Sequence, residues 1–302
     1  MRAQTSTTLL LFSLLLVGCR DQPTQPSQLI APPAEARAVA SAVLIAAGDI
    51  GCATTQGGQA TATLIQSLTG TVATLGDNAY PDGTSSDYRR CYAPGWGHAL
   101  ARTRPSPGNH DYHVSGASGY FNYFGARAGP SRRGYYSYDV GSWHIVSLDS
   151  EINAGVSSPQ AAWLRNDLAS HPSKCTLAYW HKPLFTSGRT HPPEVAMRPL
   201  FTVLYNAGAD IVLSGHNHQY ERFAPQSPNG QAAPSRGIRQ FVVGTGGVSL
   251  YPFASARANS QVRYNGGYGV LKLSLNSGSY SWRFISVAGK TFTDAGTASC
   301  HS

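Results

Sequence analysis

Short apolar runs that stop at glycine or polar residues recur along most of the chain. The run Ala42–Ala47 reads Ala-Val-Leu-Ile-Ala-Ala and stops at Gly48-Asp49, which is typical of a buried strand. Similar runs predict further strands, at Thr71–Leu75, Trp143–Leu148, Thr176–Trp180, Ile211–Leu213 and Phe241–Val243. The centre of the protein is therefore expected to be β-sheet.

Helical patterns fall between several of these strands. Residues 58–68 carry Ala, Leu and Ile, and Ser158-Pro159 begins a second helix with a capping residue followed by Pro at its first position. A third helix is predicted over Pro193–Asn206 and is closed by Ala207-Gly208. The alternation of strands and helices predicts an α/β protein.

A hairpin is predicted near the end of the chain. Two sets of apolar residues alternate with polar ones on either side of the Asn276-Ser277-Gly278 turn: Leu271, Leu273 and Leu275, then Tyr280, Trp282 and Phe284. Alternation of this kind indicates antiparallel strands with one buried face. Together with the strand–helix alternation it predicts two sheets packed together, with the helices outside.

The first residues are typical of a targeting segment. Arg2 supplies positive charge, and the apolar stretch Leu9–Val17 is too short to span a bilayer. It ends in Leu16-Val17-Gly18-Cys19, which resembles the lipobox of bacterial lipoproteins, where the Cys is lipidated and becomes the new N-terminus. An ordinary cleaved signal peptide is the alternative. Both interpretations export the protein to the cell envelope, as a membrane-anchored lipoprotein or a secreted protein.

Composition changes after the targeting segment. Residues 20–40 hold four prolines with Gln, Ser and Ala and show no apolar period, which indicates a tether. We expect a lipoprotein signal peptide at residues 1–19, a Pro-rich tether at 20–40 and one folded domain at 41–302. No later segment is long and apolar enough to be a membrane span.

The charge of the chain favours anionic ligands. The formal net charge is +8, which would draw small anions such as phosphate esters. The Lys and Arg residues are scattered and form no basic run, so no nucleic-acid partner is expected. Nothing in the sequence indicates the oligomeric state.

The cysteines are expected to form disulfides. If Cys19 carries lipid, four remain, and an even number in an exported protein favours disulfides in one of three pairings. Cys52 and Cys91 each follow a motif at the exit of a predicted strand, whereas Cys175 precedes its strand and should lie at the opposite end of the sheet. This placement favours Cys52–Cys91 and Cys175–Cys300.

Five segments rich in Asp, Asn and His share one placement, just past a short apolar strand or in a loop begun by Gly. A single buried His or Asp is more often a hydrogen-bonded core residue than a ligand, but five in one placement are hard to explain as packing. Ligands of α/β sheets bind outside the carboxyl ends of the strands. Oxygen and imidazole donors without thiolates suit Fe, Mn or Zn. The segments are Gly48-Asp49-Ile50-Gly51, Gly76-Asp77-Asn78-Ala79-Tyr80, Gly108-Asn109-His110-Asp111, Trp180-His181-Lys182-Pro183 and Gly215-His216-Asn217-His218.

The order of these motifs resembles the calcineurin-like metallophosphoesterase superfamily, and within it the purple acid phosphatase branch. Most of the superfamily has His where this chain has Gly51, and Tyr80, three residues after Asp77, replaces that missing ligand as in purple acid phosphatases. Gln219-Tyr220-Glu221-Arg222 resembles a plant motif as well, although Asp111 stands where plant members usually have Glu. The resemblance covers roughly residues 43–285 and implies a four-layer αββα sandwich.

The resemblance implies a binuclear metal site. It assigns a ferric ion to Asp49, Asp77, Tyr80 and His218, and a divalent ion (Fe2+, Zn2+ or Mn2+) to Asn109, His181 and His216, with Asp77 bridging the two. His110 would be the catalytic residue that stabilises the phosphate or protonates the leaving group. His113 and His191 would lie on the substrate rim.

The implied activity is that of an acid phosphatase. It would hydrolyse small-molecule phosphate monoesters by attack of a metal-bound hydroxide. Two alternatives stay open. A phosphodiesterase or nucleotide hydrolase would use the same metal core with a different rim. A non-catalytic surface binding protein would use the scaffold alone, and the complete ligand set together with His110 argues against it.

Overall fold

The computed structural model describes Met1, Gln4 and residues 42–173 and 175–301. The rest of the predicted signal segment, with Cys19, and the tether lie outside these residues. The described residues from Ala42 onward belong to one unit. Within it the strands are β1 (Ala42–Ala47), β2 (Thr71–Leu75), β3 (Thr103–Ser106), β4 (Tyr136–Val140), β5 (Trp143–Ser147), β6 (Cys175–Tyr179), β7 (Ile211–Ser214), β8 (Tyr220–Phe223), β9 (Arg239–Val243), β10 (Ser260–Tyr264), β11 (Gly269–Asn276), β12 (Ser279–Ser286) and β13 (Ala295–Ser299).

The described residues form fewer α-helices than strands. The α-helices are α1 (Gln56–Ser67), α2 (Ser85–Asp87), α3 (Ser118–Phe124), α4 (Pro159–Ser170) and α5 (Arg198–Asn206). A π-type turn covers Tyr88–Tyr92, and 3₁₀ turns cover Trp96–Arg102, Asp111–His113, Ser115–Ala117, Gly125–Ala128, Pro130–Arg132 and Val195–Met197. None of the described helices has the length and apolar character needed to cross a membrane.

The strands form two mixed sheets. One has the order β13-β12-β11-β1-β2-β3 and the other β10-β8-β9-β7-β6-β5-β4. Leu44 and Leu273 of the first sheet share one buried cluster with Ile145, Leu177 and Leu213 of the second, so the two sheets pack face to face. The outer face of the second sheet is covered by α4 and α5, through Leu164, Leu200 and Phe201. The α/β fold class predicted from the sequence, two packed mixed sheets flanked by helices, is confirmed.

Parallel pairing gives both sheets a common functional edge. Strands β1, β2 and β3 run parallel, and so do β5, β6, β7 and β9. The carboxyl ends of these strands therefore meet at one end of the sandwich. That end is where the Asp-, Asn- and His-rich segments follow their strands.

Several predicted boundaries differ from the structure. The helix expected over Pro193–Asn206 is a 3₁₀ turn followed by α5, which begins only at Arg198, with Pro199 in its first turn. Pro is accepted in that turn because its missing N–H needs no partner there. The predicted strand Thr176–Trp180 spans Cys175–Tyr179 instead. In contrast, α4 begins as expected, with the Ser158 hydroxyl accepting the N–H of Ala161 and Pro159 in the first turn.

The described residues contain two disulfides. Cys52 pairs with Cys91, with Cα atoms 4.1 Å apart, and Cys175 pairs with Cys300, with Cα atoms 5.5 Å apart. These are the pairs favoured from the placement of the cysteines. Cys91 itself lies in the π-type turn at Tyr88–Tyr92, beyond the segment Gly76–Tyr80 that follows β2.

Candidate metal centre

Sharp turns at the strand ends aim the candidate ligands at one another. Asp49, Asp77 and His216 follow β1, β2 and β7, and all three have positive φ angles of 59°, 50° and 68°. Non-glycine residues seldom adopt this left-handed conformation, which costs about 1–3 kcal/mol each. The turns are braced by hydrogen bonds, since the N–H of His216 donates to Asp49 Oδ2 at 2.8 Å. The surrounding structure thus holds the ligand backbone in place.

Four side chains meet on one side of the centre. The Tyr80 hydroxyl lies 2.8 Å from Asp77 Oδ2, 3.3 Å from Asp49 Oδ1 and 3.3 Å from His218 Nε2. His218 Nε2 is also 3.2 Å from Asp49 Oδ1. These are the four residues assigned to the ferric ion, and the structure brings all of them together.

A second group meets on the other side. His181 Nε2 lies 3.3 Å from Asp77 Oδ2, 3.1 Å from Asn109 Oδ1 and 3.1 Å from His216 Nδ1. His181, Asn109 and His216 are the three residues assigned to the divalent ion alone, and Asp77 is the carboxylate assigned to both ions. The Oδ2 atom of Asp77 is the only atom in contact with both Tyr80 and His181 among the described contacts, so it lies between the two groups.

The histidine rings are oriented by backbone acceptors. His181 Nδ1 is 2.8 Å from the carbonyl oxygen of Leu75, and His218 Nδ1 is 2.7 Å from that of Ser249. Each Nδ1–H can donate to its carbonyl, which leaves Nε2 as a lone-pair donor facing the centre. Metal-ligating histidines are usually fixed in this way.

Burial and charge together set the protonation of the site. Burial alone would lower the pKa of His181, but attraction by Asp77 outweighs it and raises that pKa to about 10. Burial would raise the pKa of Asp77, yet His181 and His110 hold it well below its usual range. Burial, with the nearby Asp77 and Asp49, raises the pKa of Tyr80 well above its ordinary value. A metal ion bound here would therefore displace protons from His181 and Tyr80.

The donor set fits two metal ions. One ligand atom from each of Asp49, Asp77 and His181 lies within 4.8 Å of the others, and all three residues are buried. Ligands bound 2.0–2.2 Å from one ion at ordinary angles are about 3.0–3.4 Å apart, which is close to most of the separations above. The donors are carboxylate, phenol, amide and imidazole, and the nearby Cys52 is tied up in its disulfide. This chemistry suits Fe, Mn or Zn.

Three further histidines surround the centre. His110 Nε2 is 3.9 Å from Asp77 Oδ2, and the backbone N–H of His110 donates to Asp77 Oδ1 at 2.8 Å. His113 is more exposed, with its ring 4.6 Å from that of His110 and its Nδ1 3.0 Å from Asp82 Oδ1. His191 stacks on the ring of His216 at 4.0 Å. All three lie beside the ligand groups. The catalytic role of His110 and the substrate-binding roles of His113 and His191 stay predictions.

The structure adds residues that the sequence did not single out. Tyr251 stacks on His218 with ring centroids 3.9 Å apart and an interplanar angle of 11°. Its loop follows β9, far from any motif, so no local pattern indicated it. Lys182 forms an ion pair with Glu151 beside His181. The sequence could have indicated Lys182, because it directly follows the candidate ligand His181.

The sequence of the chain matches a known protein family. A model of the calcineurin-like phosphoesterases matches residues 43–220. Purple acid phosphatase 15 of Arabidopsis thaliana is 30% identical over an alignment of 195 residues, which covers 53% of this chain and 37% of that protein. Purple acid phosphatase 22 of the same plant is 37% identical over an alignment of 118 residues, which covers 37% of this chain and 27% of that protein. The chain thus spans only about a third of the length of these curated relatives.

Solved structures agree on the fold. A purple acid phosphatase from yellow lupin (Lupinus luteus) seeds has a TM-score of 0.68 at 20% identity, covering 87% of this chain and 54% of that one. GAP50, the anchor in the inner membrane complex of Plasmodium, has a TM-score of 0.66 at 15% identity, covering 87% and 90%. At these identities the likeness concerns the fold alone. Because the family model matches more than half of the 302 residues, the chain belongs to the calcineurin-like phosphoesterases and, within them, resembles the purple acid phosphatases.

Proposed function

We propose that this protein is an exported, metal-dependent phosphoesterase that hydrolyses phosphate monoesters, with Fe3+ beside Tyr80 and a divalent ion (Fe2+, Zn2+ or Mn2+) beside His181. One observation carries the proposal. Asp77 Oδ2 lies 2.8 Å from the Tyr80 hydroxyl and 3.3 Å from His181 Nε2, so a single carboxylate reaches both ligand groups. Family membership and fold imply a binuclear centre at this place.

Metal ions held by these two ligand groups would supply polarisation of the phosphoryl oxygens and activation of the attacking water. The contribution of the chain is to hold the ligands in place before substrate arrives. Asp77 and His181 are buried, and backbone carbonyls orient His181 and His218. The ligand groups therefore need little rearrangement when the ester binds, which is how preorganised sites gain rate.

His110 is the residue of the chain best placed to handle a proton. Its Nδ1 contacts the carbonyl oxygen of Pro81, so Nδ1–H donates there and Nε2 faces Asp77 at 3.9 Å. When the ring is cationic, Nε2–H can donate to a phosphate oxygen or to the departing alkoxide. The ring is part exposed, so an ester at the centre can reach it. His113 and His191 extend this rim and would contact the rest of the ester.

The proposal is tested by removing the shared carboxylate from the full chain. Asp77→Asn should lose both metal ions and the hydrolysis of nitrophenyl phosphate together, whereas wild type should hold two ions per chain by elemental analysis. Asp210→Asn is the matched control, since Asp210 is equally buried but lies at the amino end of β7, where it accepts the N–H of Thr176. Its metal content should equal that of wild type.

Each alternative function has its own outcome in this experiment. Wild type that holds two ions but cleaves no ester would support the non-catalytic binding protein. Faster hydrolysis of bis-nitrophenyl phosphate than of nitrophenyl phosphate would contradict the preference for monoesters. Hydrolysis that survives in Asp77→Asn would contradict the site itself.

The localisation proposal depends on residues that the structure does not describe. We infer lipidation of Cys19 from its lipobox-like sequence, so Cys19→Ala should release the protein from the membrane fraction, because a lipid chain would be the anchor. Membrane association that is unchanged in Cys19→Ala would contradict the anchor, and a wild-type protein found wholly in the medium would favour an ordinary signal peptide.

A further inference from the structure

A second group of potential metal ligands lies at the opposite end of the sandwich. Asp139 and His144 are directly paired across the antiparallel strands β4 and β5. Asp167 lies in the last turn of α4, and His171 caps the end of that helix. His144 pairs with Thr176, the second residue of β6, and is therefore at the amino end of the parallel strands. The candidate metal centre occupies their carboxyl ends.

The contacts within this group are close. His144 Nε2 is 2.8 Å from Asp167 Oδ2, and its Nδ1 is 3.1 Å from Asp139 Oδ1. His171 Nδ1 lies 3.5 Å from Asp167 Oδ1 and 2.8 Å from the carbonyl oxygen of Asp167, and its ring stacks on that of His144 with centroids 4.7 Å apart. One ligand atom from each of His144, Asp167 and His171 lies within 4.8 Å of the other two.

We propose that His144, Asp167 and His171 form a binding site for a divalent transition-metal ion of the Zn2+ type, separate from the phosphoesterase centre. Two imidazoles and a carboxylate are donors that Zn2+ prefers, and bond lengths of about 2.0–2.2 Å set neighbouring donors about 3.0–3.4 Å apart. His144 Nε2 and Asp167 Oδ2 would separate by about half an ångström, and the ring of His171 would turn from its stack on His144 to direct a nitrogen at the ion. The side chain of His171 is 48% exposed, so water can fill the remaining coordination position.

Neighbouring side chains form hydrogen bonds that would orient the proposed ligands. Asp139 can accept Nδ1–H from His144, which leaves Nε2 directed at Asp167. The Ser137 hydroxyl donates to Asp167 Oδ1 at 2.6 Å and fixes that carboxylate. Oxygen acceptors behind a ligating imidazole, and donors behind a ligating carboxylate, orient ligands in known metal sites.

Without metal, a protonated His144 can pair with both neighbouring carboxylates. His144 is buried between two carboxylates, and although burial lowers its pKa, Asp167 and Asp139 raise it overall. The imidazolium can then donate from both nitrogens. An ion of the Zn2+ type would replace the proton on Nε2 and add His171, whose ring is half exposed and has solvent on one side into which it can turn.

The ion would join a sheet edge to a helix. Strand β4 is the edge of its sheet, and edge strands have one side without a strand partner. Asp139 and Ser137 belong to β4, whereas Asp167 and His171 belong to the end of α4. Binding would stabilise the folded chain against unfolding, because the unfolded chain does not hold these donors together.

The test is a Zn2+ titration of the full chain, isolated with its catalytic centre already loaded. Wild type should bind one further equivalent by calorimetry, and its thermal unfolding midpoint should rise with Zn2+. His171→Gln should bind no further equivalent and show no rise, while its hydrolysis of nitrophenyl phosphate stays unchanged. His98→Gln is the control, since His98 is an exposed histidine of the 3₁₀ turn Trp96–Arg102 and should behave as wild type.

Asp167→Asn is a second variant that keeps the shape of the side chain and should also lose the further equivalent. The proposal is overturned if wild type takes up no further Zn2+ at millimolar concentration, or if His171→Gln takes up as much as His98→Gln. Either result would leave His144 as an imidazolium between carboxylates. Because the readout is a further equivalent of metal, it is independent of whether the catalytic proposal holds.

Discussion

Asn78 donates its side-chain amide to Oδ2 of Asp111 across 2.9 Å, and both residues are fully buried. Asn78 directly follows Asp77, and Asp111 directly follows His110. The hydrogen bond therefore joins the loop that carries the shared carboxylate to the loop that carries the proposed acid. Asp111 accepts three more hydrogen bonds, from the N–H groups of Asn78 and Gly108 and from the Tyr88 hydroxyl.

Loss of this acceptor should weaken both the fold and metal binding. Asp111→Ala leaves several buried donors without a partner, so the free energy of unfolding should fall by about 3 kcal/mol, and the ions should dialyse out faster. Tyr88→Phe removes a single donor and should cost about 1 kcal/mol with normal metal retention. Urea unfolding and elemental analysis of the two variants make the comparison. Equal losses in both would mean that Asp111 has no special role in joining the loops.

The Tyr80 assignment predicts a colour. A phenolate bound to ferric iron absorbs visible light by charge transfer, so the purified protein should be pink to violet and Tyr80→Phe should be bleached. Tyr251→Phe is a sharp control, because Tyr251 stacks on His218 beside the site but is not a proposed ligand. It should keep the colour. Iron-loaded wild type without visible absorption would refute the ferric-tyrosinate assignment and leave the family assignment untouched.

Catalysis and metal binding should separate at His110. His110→Ala should keep near-normal metal content while kcat falls by roughly 10²–10⁴-fold, the range for loss of a general acid. The fall should be smaller for nitrophenyl phosphate than for an alkyl phosphate, because a nitrophenolate leaves with little need of a proton. His113→Ala, at a more exposed position, should lose less activity on both esters. If both esters decline equally in His110→Ala, His110 binds phosphate and is not the acid.

Asp149 should make stability depend on pH. Burial raises its pKa to about 7, although hydrogen bonds from Tyr112 and from the N–H of Glu151 oppose the rise. In the unfolded chain the pKa is about 3.9, so the folded state holds the proton over a range where the unfolded state has lost it. The stabilisation is fully present below about pH 4 and is lost as pH rises through 7, a change of at most about 4 kcal/mol.

The measurement is the free energy of urea unfolding of wild type and Asp149→Asn, at about pH 4.5 and pH 8. The stability of wild type relative to the variant should fall between the two pH values, and titration of the other groups should largely cancel in the difference. Glu194→Gln, at a carboxylate that accepts the N–H of Ala196 and has no ion pair with a described histidine, should run parallel to wild type. A constant difference between wild type and Asp149→Asn would show that the pKa of Asp149 is unshifted.

Local patterns in the sequence predicted the strands that are buried on both faces and the ligand segments that follow them. Strands β3, β4, β8, β10 and β13 were not predicted. All but β8 lie at sheet edges, where only one side has a strand partner, and all five have sequences that mix polar with small or apolar residues. Tyr251 was missed because its place over His218 depends on how the loop after β9 folds back. Contacts such as Asn78–Asp111 join distant segments, and no short-range period encodes them.

At Asp49, Asp77 and His216 the left-handed backbone favours other residue types than the ones that metal binding requires. Glycine would take each of these conformations without strain, and asparagine with less strain than most residues, so ligand identity is maintained here at a cost in stability. A chain that no longer needs metal can replace Asp49 or Asp77 by asparagine, which still accepts the N–H groups of His216 and His110 and relieves strain. It can thus become more stable through the very change that would end metal binding. Non-catalytic binding proteins on this scaffold are therefore reachable by single substitutions that the fold itself favours.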